Sequence, residues 1–245
     1  MTETGQKRRT PARRPTRTRA PGDAGLSPEA IVERALEFIE REGTGALTVR
    51  RLGAELGVDP TAFYRHFRDK DDLVLACMDR AEQVALDAVL ARTDVSSWQG
   101  TLRAVADECW RLSSTYPAIY ASAFARITGG PGERALVELL LATIAELGLD
   151  RATTVLFYRA FVDSALSLSG ANAVLQQLGP DIAAKDASAW GRIYASSSEV
   201  QYPVTRAHAA ELVGVTDREI YDRVVEAMIG AMETAARSAR GPQAT

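Results

Sequence analysis

Apolar residues recur every three or four positions from residue 27 onward, and no stretch of useful length alternates apolar with polar residues. In the segment 27–43, for example, Ile31, Ala35, Phe38 and Ile39 share one face of a helix. A spacing of 3.6 residues produces a helical stripe that can be buried, whereas a strand requires a spacing of two. The chain is therefore predicted to be all-α.

Capping residues mark the ends of the first two predicted helices. Ser27 precedes Pro28 and is followed much later by Gly43, an order typical of a helix start and stop. Thr48 is the expected N-cap of a second, short helix, which Gly57 ends. The two helices are thus predicted to be joined by only a few residues.

The stretch 59–69 begins a third short helix with an Asp-Pro pair. Phe63 and Phe67 lie four residues apart, so both should pack on the first two helices. Thr61 and Arg65 point almost opposite that face. The exposed side is then a wedge that suits base edges and phosphates in a major groove of DNA.

The helix after this wedge is predicted to start at Asp69, with Asp72 reaching back as in a capping box. Lys70 stands in its first turn, where a cation opposes the helix dipole. A phosphate bound at the same helix end would offset that repulsion.

Longer helices follow this region. They are predicted at roughly 69–92, 97–115, 117–127, 132–147, 150–174 and 216–238. The segment 175–215 is less regular, and two short helices are expected there, around 181–195 and 205–213. The GGPG run at 129–132 is interpreted as a turn between helices.

The charge is distributed unevenly along the chain. Residues 1–22 carry seven bases and one acid, although the whole chain has a net charge of −3. Several prolines and no apolar periodicity predict a disordered basic arm. Such an arm is expected either to contact a polyanion or to act only as a solubilising tail.

Several classes of protein are not expected. The sequence has no apolar run long enough to span a membrane, and Cys77, Cys109 and His208 form no metal-ligand or catalytic spacing. We expect no membrane association, a cytoplasmic location, no cofactor, no metal and no enzymatic activity. An all-helical enzyme is the weaker alternative, because no nucleophile-base pair or phosphate loop is present.

Residues 27–78 resemble the N-terminal domain of the TetR family of transcriptional repressors. The similarity is carried by the run ALTVRRLGAELGVDPTAFYRHFRDKDDLV. It implies a helix-turn-helix domain of three helices at 23–78, followed at 79–245 by a larger helical domain that binds an effector and dimerises. The family's DNA contacts, carried onto matching positions, are Thr48, Arg50, Pro60, Thr61, Ala62, Tyr64, Arg65, His66 and Lys70.

The second domain resembles the family only in its helical layout. Segment 151–171 is apolar nearly all round, and Ile220, Val224, Met228 and Met232 form one stripe. Two such helices from each of two chains would form a four-helix bundle; alternatively, both fill the core of one chain. The resemblance favours a homodimer, which implies a near-palindromic operator.

An effector pocket is harder to place from sequence. The aromatic candidates for its lining are Trp110, Tyr116, Tyr120, Phe124, Phe157 and Phe161. For each one taken alone, packing in the core is the favoured interpretation. Arg159 and Asp163 are expected to form a pair, either in the dimer interface or as a polar anchor for the ligand.

The sequence therefore predicts a transcriptional regulator, in particular a repressor that a small-molecule effector releases from double-stranded operator DNA. The alternative is a non-specific, architectural DNA-binding protein driven by the basic arm. The two differ in site preference and in the steepness of their salt dependence.

Overall fold

A computed structural model describes residues 27–57, 63–93 and 96–240, and all regular elements in these ranges are helical. The α-helices are α1 (Pro28–Glu42), α2 (Val49–Leu56), α3 (Lys70–Leu90), α4 (Trp98–Thr115), α5 (Pro117–Ala123), α6 (Pro131–Ala145), α7 (Arg151–Gln177), α8 (Pro180–Ala195), α9 (Pro203–Ala207), α10 (Ala209–Gly214) and α11 (Asp217–Ala239). A short 3₁₀ turn, Thr44–Ala46, joins α1 to α2. The predicted all-α class is confirmed.

The predicted caps hold the first helices in place. The side chain of Ser27 accepts a hydrogen bond from the amide of Ala30 at 3.2 Å. The Thr48 hydroxyl accepts one from the amide of Arg51 at 3.1 Å. Gly57 ends α2 with a φ of 65°, in the left-handed region that glycine adopts without strain.

Three local expectations are corrected by the structure. The predicted helix 205–213 is two helices, because the backbone leaves helical geometry at His208. Helix α5 ends at Ala123, and the residues after it form a loop whose polar side chains reach α3. Asp72 reaches back to Arg68 rather than to its own cap Asp69, accepting from the Arg68 amide at 3.1 Å.

Two clusters of buried side chains form the core. The first joins α1, α2 and α3 to Phe63 and Phe67, and it continues into α4 and α5 through Leu112 and Ile119. The second lies among α4, α6, α7 and α11. Helix α3 takes part in the first cluster along most of its length, and the predicted domain boundary at residues 78/79 falls inside it. The two predicted domains therefore share a continuous helix.

Helix α11 buries a different stripe from the one singled out in the sequence. Tyr221, Val225 and Ile229 face the second cluster, and of the predicted stripe only Met232 is fully buried. Ile220 is 43% exposed. The predicted stripe is therefore only partly in the core, because Met232 is buried and Met228 packs against the second cluster, whereas Ile220 is exposed.

None of the helices that the structure describes is long and apolar enough to cross a lipid bilayer.

Candidate DNA-binding face and effector cavity

The segment between α2 and α3 has one buried side and one exposed side. Phe63 and Phe67 are buried, with ring centroids 5.3 Å apart, and both pack in the first core cluster. Tyr64, Arg65 and His66 between them are exposed, with Tyr64 at 59%. Because the two Phe side chains fix the segment on α1–α3, the three polar residues are held on the outer surface.

The other predicted DNA contacts fall partly outside the described residues. The positions 58–62, which include Pro60, Thr61 and Ala62, are not among them. Thr48 and Arg50 are exposed at the start of α2, and Lys70 is half-buried at the start of α3. The described candidates thus stand at two helix N-termini and on the segment between them.

Arg51 is committed to contacts within its own domain. Its guanidinium donates to Glu42 at 2.9 Å and to the carbonyl of Ala46 at 3.2 Å. It also lies over the ring of Phe38, 4.9 Å from the centroid. These contacts tie α2 to α1 and engage the Arg51 guanidinium within the domain.

The other bases nearby differ in whether they form an ion pair within the described ranges. Arg68 forms an ion pair with Asp72 at 2.8 Å. By contrast, no ion pair within the described ranges involves Arg50, Arg65 or Lys70. These three cations are the ones that this surface offers to an anionic partner.

Two polar contacts connect this domain to the rest of the chain. Glu40 in α1 accepts a hydrogen bond from the amide of Ala118, in the first turn of α5, at 3.3 Å. Burial raises the pKa of the Glu40 carboxyl. Arg126, in the loop after α5, donates to both carboxylate oxygens of Asp71 at 2.8 Å each. A shift of α5 or of its following loop would therefore act directly on α1 and α3.

A cavity of about 110 Å³ lies among α3, α4, α5, α6 and α7. Most of its wall is apolar, with three charged residues and two tyrosines as the main polar exceptions. Its lining comprises Glu82, Ala85, Val105, Cys109, Tyr120, Arg126, Glu133, Leu136, Val137, Leu140, Tyr158, Phe161, Val162, Ala165 and Leu166. A largely apolar cavity with a few polar groups is the usual form of a small-molecule site.

The structure places two of the six aromatic candidates, Tyr120 and Phe161, on this cavity. The Trp110 ring packs instead on Tyr221, with centroids 4.8 Å apart. Tyr116 packs against the first core cluster, and Phe157 against the second. Phe124 is 55% exposed. Arg159 and Asp163 pair at 3.0 Å on the surface of α7, away from the cavity.

The charged lining of the cavity was missed in the sequence. Glu82 comes from α3 and Glu133 from α6, and Arg126 from the loop between α5 and α6. A signal for Glu82 was present, because it lies four residues from each of the buried residues Met78 and Leu86. A carboxylate on an apolar helix face is unusual enough to single out.

Comparison with known families covers the DNA-binding region. Residues 31–77 match the family model described as bacterial regulatory proteins, tetR family. These residues therefore carry the DNA-binding region of the TetR family. The match includes α1, α2, the recognition segment Phe63–Phe67 and the start of α3, so the resemblance read from the sequence is confirmed.

Curated TetR-like relatives match about half of the chain. One is an HTH-type transcriptional regulator of Saccharopolyspora erythraea, 30% identical over 132 residues, which are 52% of each chain. Another is the transcriptional repressor DrrR1 of Streptomyces coeruleorubidus, 29% identical over 56% of this chain and 49% of the relative. The chain therefore spans about half the length of the curated relatives it matches.

Solved TetR structures share the architecture over most of the chain. A TetR regulator from Streptomyces coelicolor has 25% identity and a TM-score of 0.73, covering 86% of this chain and 99% of that one. Apo ActR from the same organism has 18% identity and a TM-score of 0.76, covering 88% and 99%. The two-part TetR fold, a helix-turn-helix domain followed by a helical domain, is thereby confirmed.

Proposed function

We propose that this chain is a sequence-specific DNA-binding transcriptional regulator, a repressor that leaves a palindromic operator when a small-molecule effector binds. The observation that carries the proposal is the recognition segment, where buried Phe63 and Phe67 hold Tyr64, Arg65 and His66 on the outer surface. Residues 31–77, which include this segment, match the family model, and curated relatives named as regulators and repressors match about half of the chain.

The proposed DNA contacts divide by chemistry. Arg65, which is exposed and without an ion pair in the described residues, reads a base edge together with Thr61. Tyr64, His66 and Lys70 contact phosphates. Because these residues are close to the N-terminus of α3, the positive end of that helix dipole also attracts the phosphate. Thr48, Arg50, Pro60 and Ala62 complete the predicted contact set, with apolar contact to thymine methyl groups from the last two.

Effector binding is proposed at the cavity. Arg126 lines the cavity and also binds Asp71 in the first turn of α3, immediately after the recognition segment. A ligand that displaces Arg126 would therefore change the position of α3 and of the segment before it. For this to regulate, the ligand must bind the two arrangements with different affinities. ActR, which shares the fold, has been solved with (S)-DNPA and with actinorhodin.

The active species is proposed to be a homodimer. Helices α7 and α11 leave Leu156, Val174, Leu175 and Ile220 exposed, each between 42% and 68%. Apolar surface of this kind on two adjacent helices is suited to a four-helix bundle with a second copy. A two-fold dimer would place its recognition segments in successive major grooves on one side of the duplex.

Selection of binding sites from a random DNA pool, with purified protein at physiological salt, tests the proposal. A near-palindrome with half-sites on one face of the duplex is the expected result. Measurable binding without an enriched sequence would contradict it and favour the non-specific, arm-driven alternative. An Arg65→Ala protein run through the same selection provides the comparison, because it should enrich a less restricted half-site.

A further inference from the structure

Three carboxyl groups lie around one hydroxyl group beside the cavity, and two of them, those of Glu82 and Glu133, line it. Thr128 Oγ1 lies 3.2 Å from Asp79 Oδ1, 3.4 Å from Glu82 Oε2 and 2.8 Å from Glu133 Oε2. A threonine hydroxyl has a single proton and can donate only one full hydrogen bond. Three carboxyl groups therefore share one donor.

Backbone amides supply two of these carboxyl groups with donors. Asp79 accepts from the amides of Gly132 at 3.2 Å and Glu133 at 2.9 Å, at the start of α6. Glu133 accepts from the amide of Gly129. Glu82 has only the long contact to Thr128 among the hydrogen bonds of the described residues. It is the carboxyl that lacks a good partner, and it lies on the cavity wall.

Among the described residues, no cation forms an ion pair with Glu82. Arg126 also lines the cavity, but its Nη2 atom is held by Asp71. Burial, followed by the charges of Glu133 and Asp79, raises the pKa of Glu82 to about 8. At neutral pH this carboxyl group therefore carries a proton, which a bound cation would replace.

The thiol and phenol groups on the wall are neutral. Burial raises the pKa of the Cys109 thiol to about 11 and raises the pKa of the Tyr120 phenol well above its ordinary value. Burial likewise raises the pKa of Tyr158. None of the three adds a positive charge that would oppose a cationic ligand.

Tyr120 is an independent indication that the cavity takes a polar ligand. Its side chain is only 5% exposed and lies on the cavity wall. Within the part of the chain that the structure describes, its hydroxyl has no hydrogen-bond partner. A buried tyrosine hydroxyl normally has a partner, so this one is free to bond a ligand.

The remaining residues of the cavity wall suit an apolar part of the ligand. Leu136, Leu140, Phe161, Val162 and Ala165 present only hydrocarbon to the cavity. No group of three or more acidic, histidine or cysteine residues among the described ones is arranged to hold a metal ion. The cavity thus combines a carboxyl without a cation, a free phenol and an apolar surround.

We infer that the cavity binds an organic cation, a protonated amine on a compact apolar body, with the ammonium group on Glu82 and its apolar part against α6 and α7. The Tyr120 hydroxyl bonds the same molecule. On binding, the Glu82 proton passes to solvent and the carboxylate pairs with the ammonium group. An anionic ligand is disfavoured, because Glu82 and Glu133 already line that wall and Asp79 lies next to them. As a statement about the effector, this inference rests on the proposed regulatory function.

Calorimetric titration of the full chain at pH 7 with hexylamine, 1-hexanol and hexanoate tests the inference, because the three probes share one apolar chain. Hexylamine should bind at least roughly tenfold more tightly than 1-hexanol, since a buried ion pair adds to the apolar contact. Hexanoate should bind most weakly. Repeating the titration in buffers of different ionisation enthalpy should show up to one proton released per hexylamine bound.

Two variants separate the site from general effects. Glu82→Gln keeps the shape of the side chain and should abolish both the amine preference and the proton release. Glu138→Gln, on the exposed side of helix α6, should leave both unchanged. Equal affinity of the wild type for hexylamine and 1-hexanol, or an unchanged preference in Glu82→Gln, would overturn the inference.

A DNA-binding titration, run separately with and without hexylamine, distinguishes this inference from the proposed function. An amine preference that depends on Glu82, in a protein that selects no DNA site, would support the cationic site and overturn the regulatory function. Selection of a DNA site by a protein without an amine preference would support the regulatory function and overturn the cationic site. Weakened operator binding in the presence of hexylamine, lost in Glu82→Gln, would support both.

Discussion

Both carboxylate oxygens of Asp71 accept hydrogen bonds from Nη2 of Arg126, each at 2.8 Å. Asp71 stands in the first turn of α3, next to the recognition segment, and Arg126 lines the cavity. This pair therefore directly connects the wall of the proposed effector site with the helix that follows the proposed DNA-binding face.

Replacing Arg126 with Ala should uncouple the two sites at little cost in stability. The pair is partly exposed, with Asp71 at 63%, so a double-mutant cycle with Asp71→Asn should yield a coupling free energy of roughly 0.2–1 kcal/mol. Operator affinity without ligand should stay close to that of the wild type, whereas its response to a bound ligand should be reduced. Chemical denaturation and fluorescence anisotropy measure the two effects. A full ligand response in Arg126→Ala would contradict the proposed route.

Arg65→Ala should weaken binding to the selected operator by about 1–3 kcal/mol, because a base-edge contact is lost. The base preference of the protein should relax at one base pair in each half-site of the operator. Fluorescence anisotropy with a panel of single-base operator variants measures both. Arg34→Ala is the control, since Arg34 is an exposed base of α1 that already pairs with Glu37 at 2.7 Å. An equal loss on all sequences would identify Arg65 as a phosphate contact.

Deleting residues 1–22 should weaken DNA binding broadly and flatten its salt dependence. This segment carries seven bases, and each phosphate contact contributes about −0.9 to the slope of log K against log salt concentration. Titrations between low and physiological salt give the slope for the full and the shortened chain. Identical slopes would show that the arm does not contact DNA.

The stability of the wild type should fall as pH rises toward 8, by an amount that depends on Glu82. The pKa of this carboxyl is raised from 4.5 to about 8 in the folded state, so the folded state binds more protons than the unfolded state between these values. Stability from this group is present below pH 4.5 and is lost by about pH 8. The melting temperatures of wild type and Glu82→Gln should therefore converge or cross over this pH range. The expected change in melting temperature is roughly 2–4 °C per kcal/mol of stability.

Glu138→Gln serves as the reference in the same melts, because its exposed carboxyl should leave the pH profile parallel to that of the wild type. A Glu82→Gln profile that also runs parallel from pH 5 to pH 8 would mean that Glu82 is ionised throughout, contrary to the prediction.

Gly132→Ala should destabilise the contact between α3 and α6. A Cβ atom at this position would lie 2.5 Å from the carbonyl oxygen of Asp79 and 2.9 Å from the amide nitrogen of Gln83. Both neighbours are backbone atoms and cannot rotate away, so a cost of about 1–3 kcal/mol is expected. Gly45→Ala, with no atom within 4 Å, is the matched control and should be nearly neutral in urea denaturation. Equal unfolding midpoints for the two variants would contradict the close packing.

Much of the DNA-binding domain followed from the sequence alone. The caps at Ser27 and Thr48, the left-handed Gly57 and the inward pair Phe63 and Phe67 are all local features. Hydrogen bonds of this kind span three or four residues, and helical spacing decides which side chains share a face. The sequence therefore determined the helices, the recognition segment and its exposed side.

The cavity was decided only by the tertiary structure. Glu82 and Glu133 are 51 positions apart, and they meet because α3 packs against α6 through glycines that let the backbones approach. Helical spacing likewise could not show that Trp110 would pack on Tyr221 while Tyr120 faces the cavity. Each of these choices depends on which helix packs against which, and such contacts between distant residues leave no periodic signal in the chain.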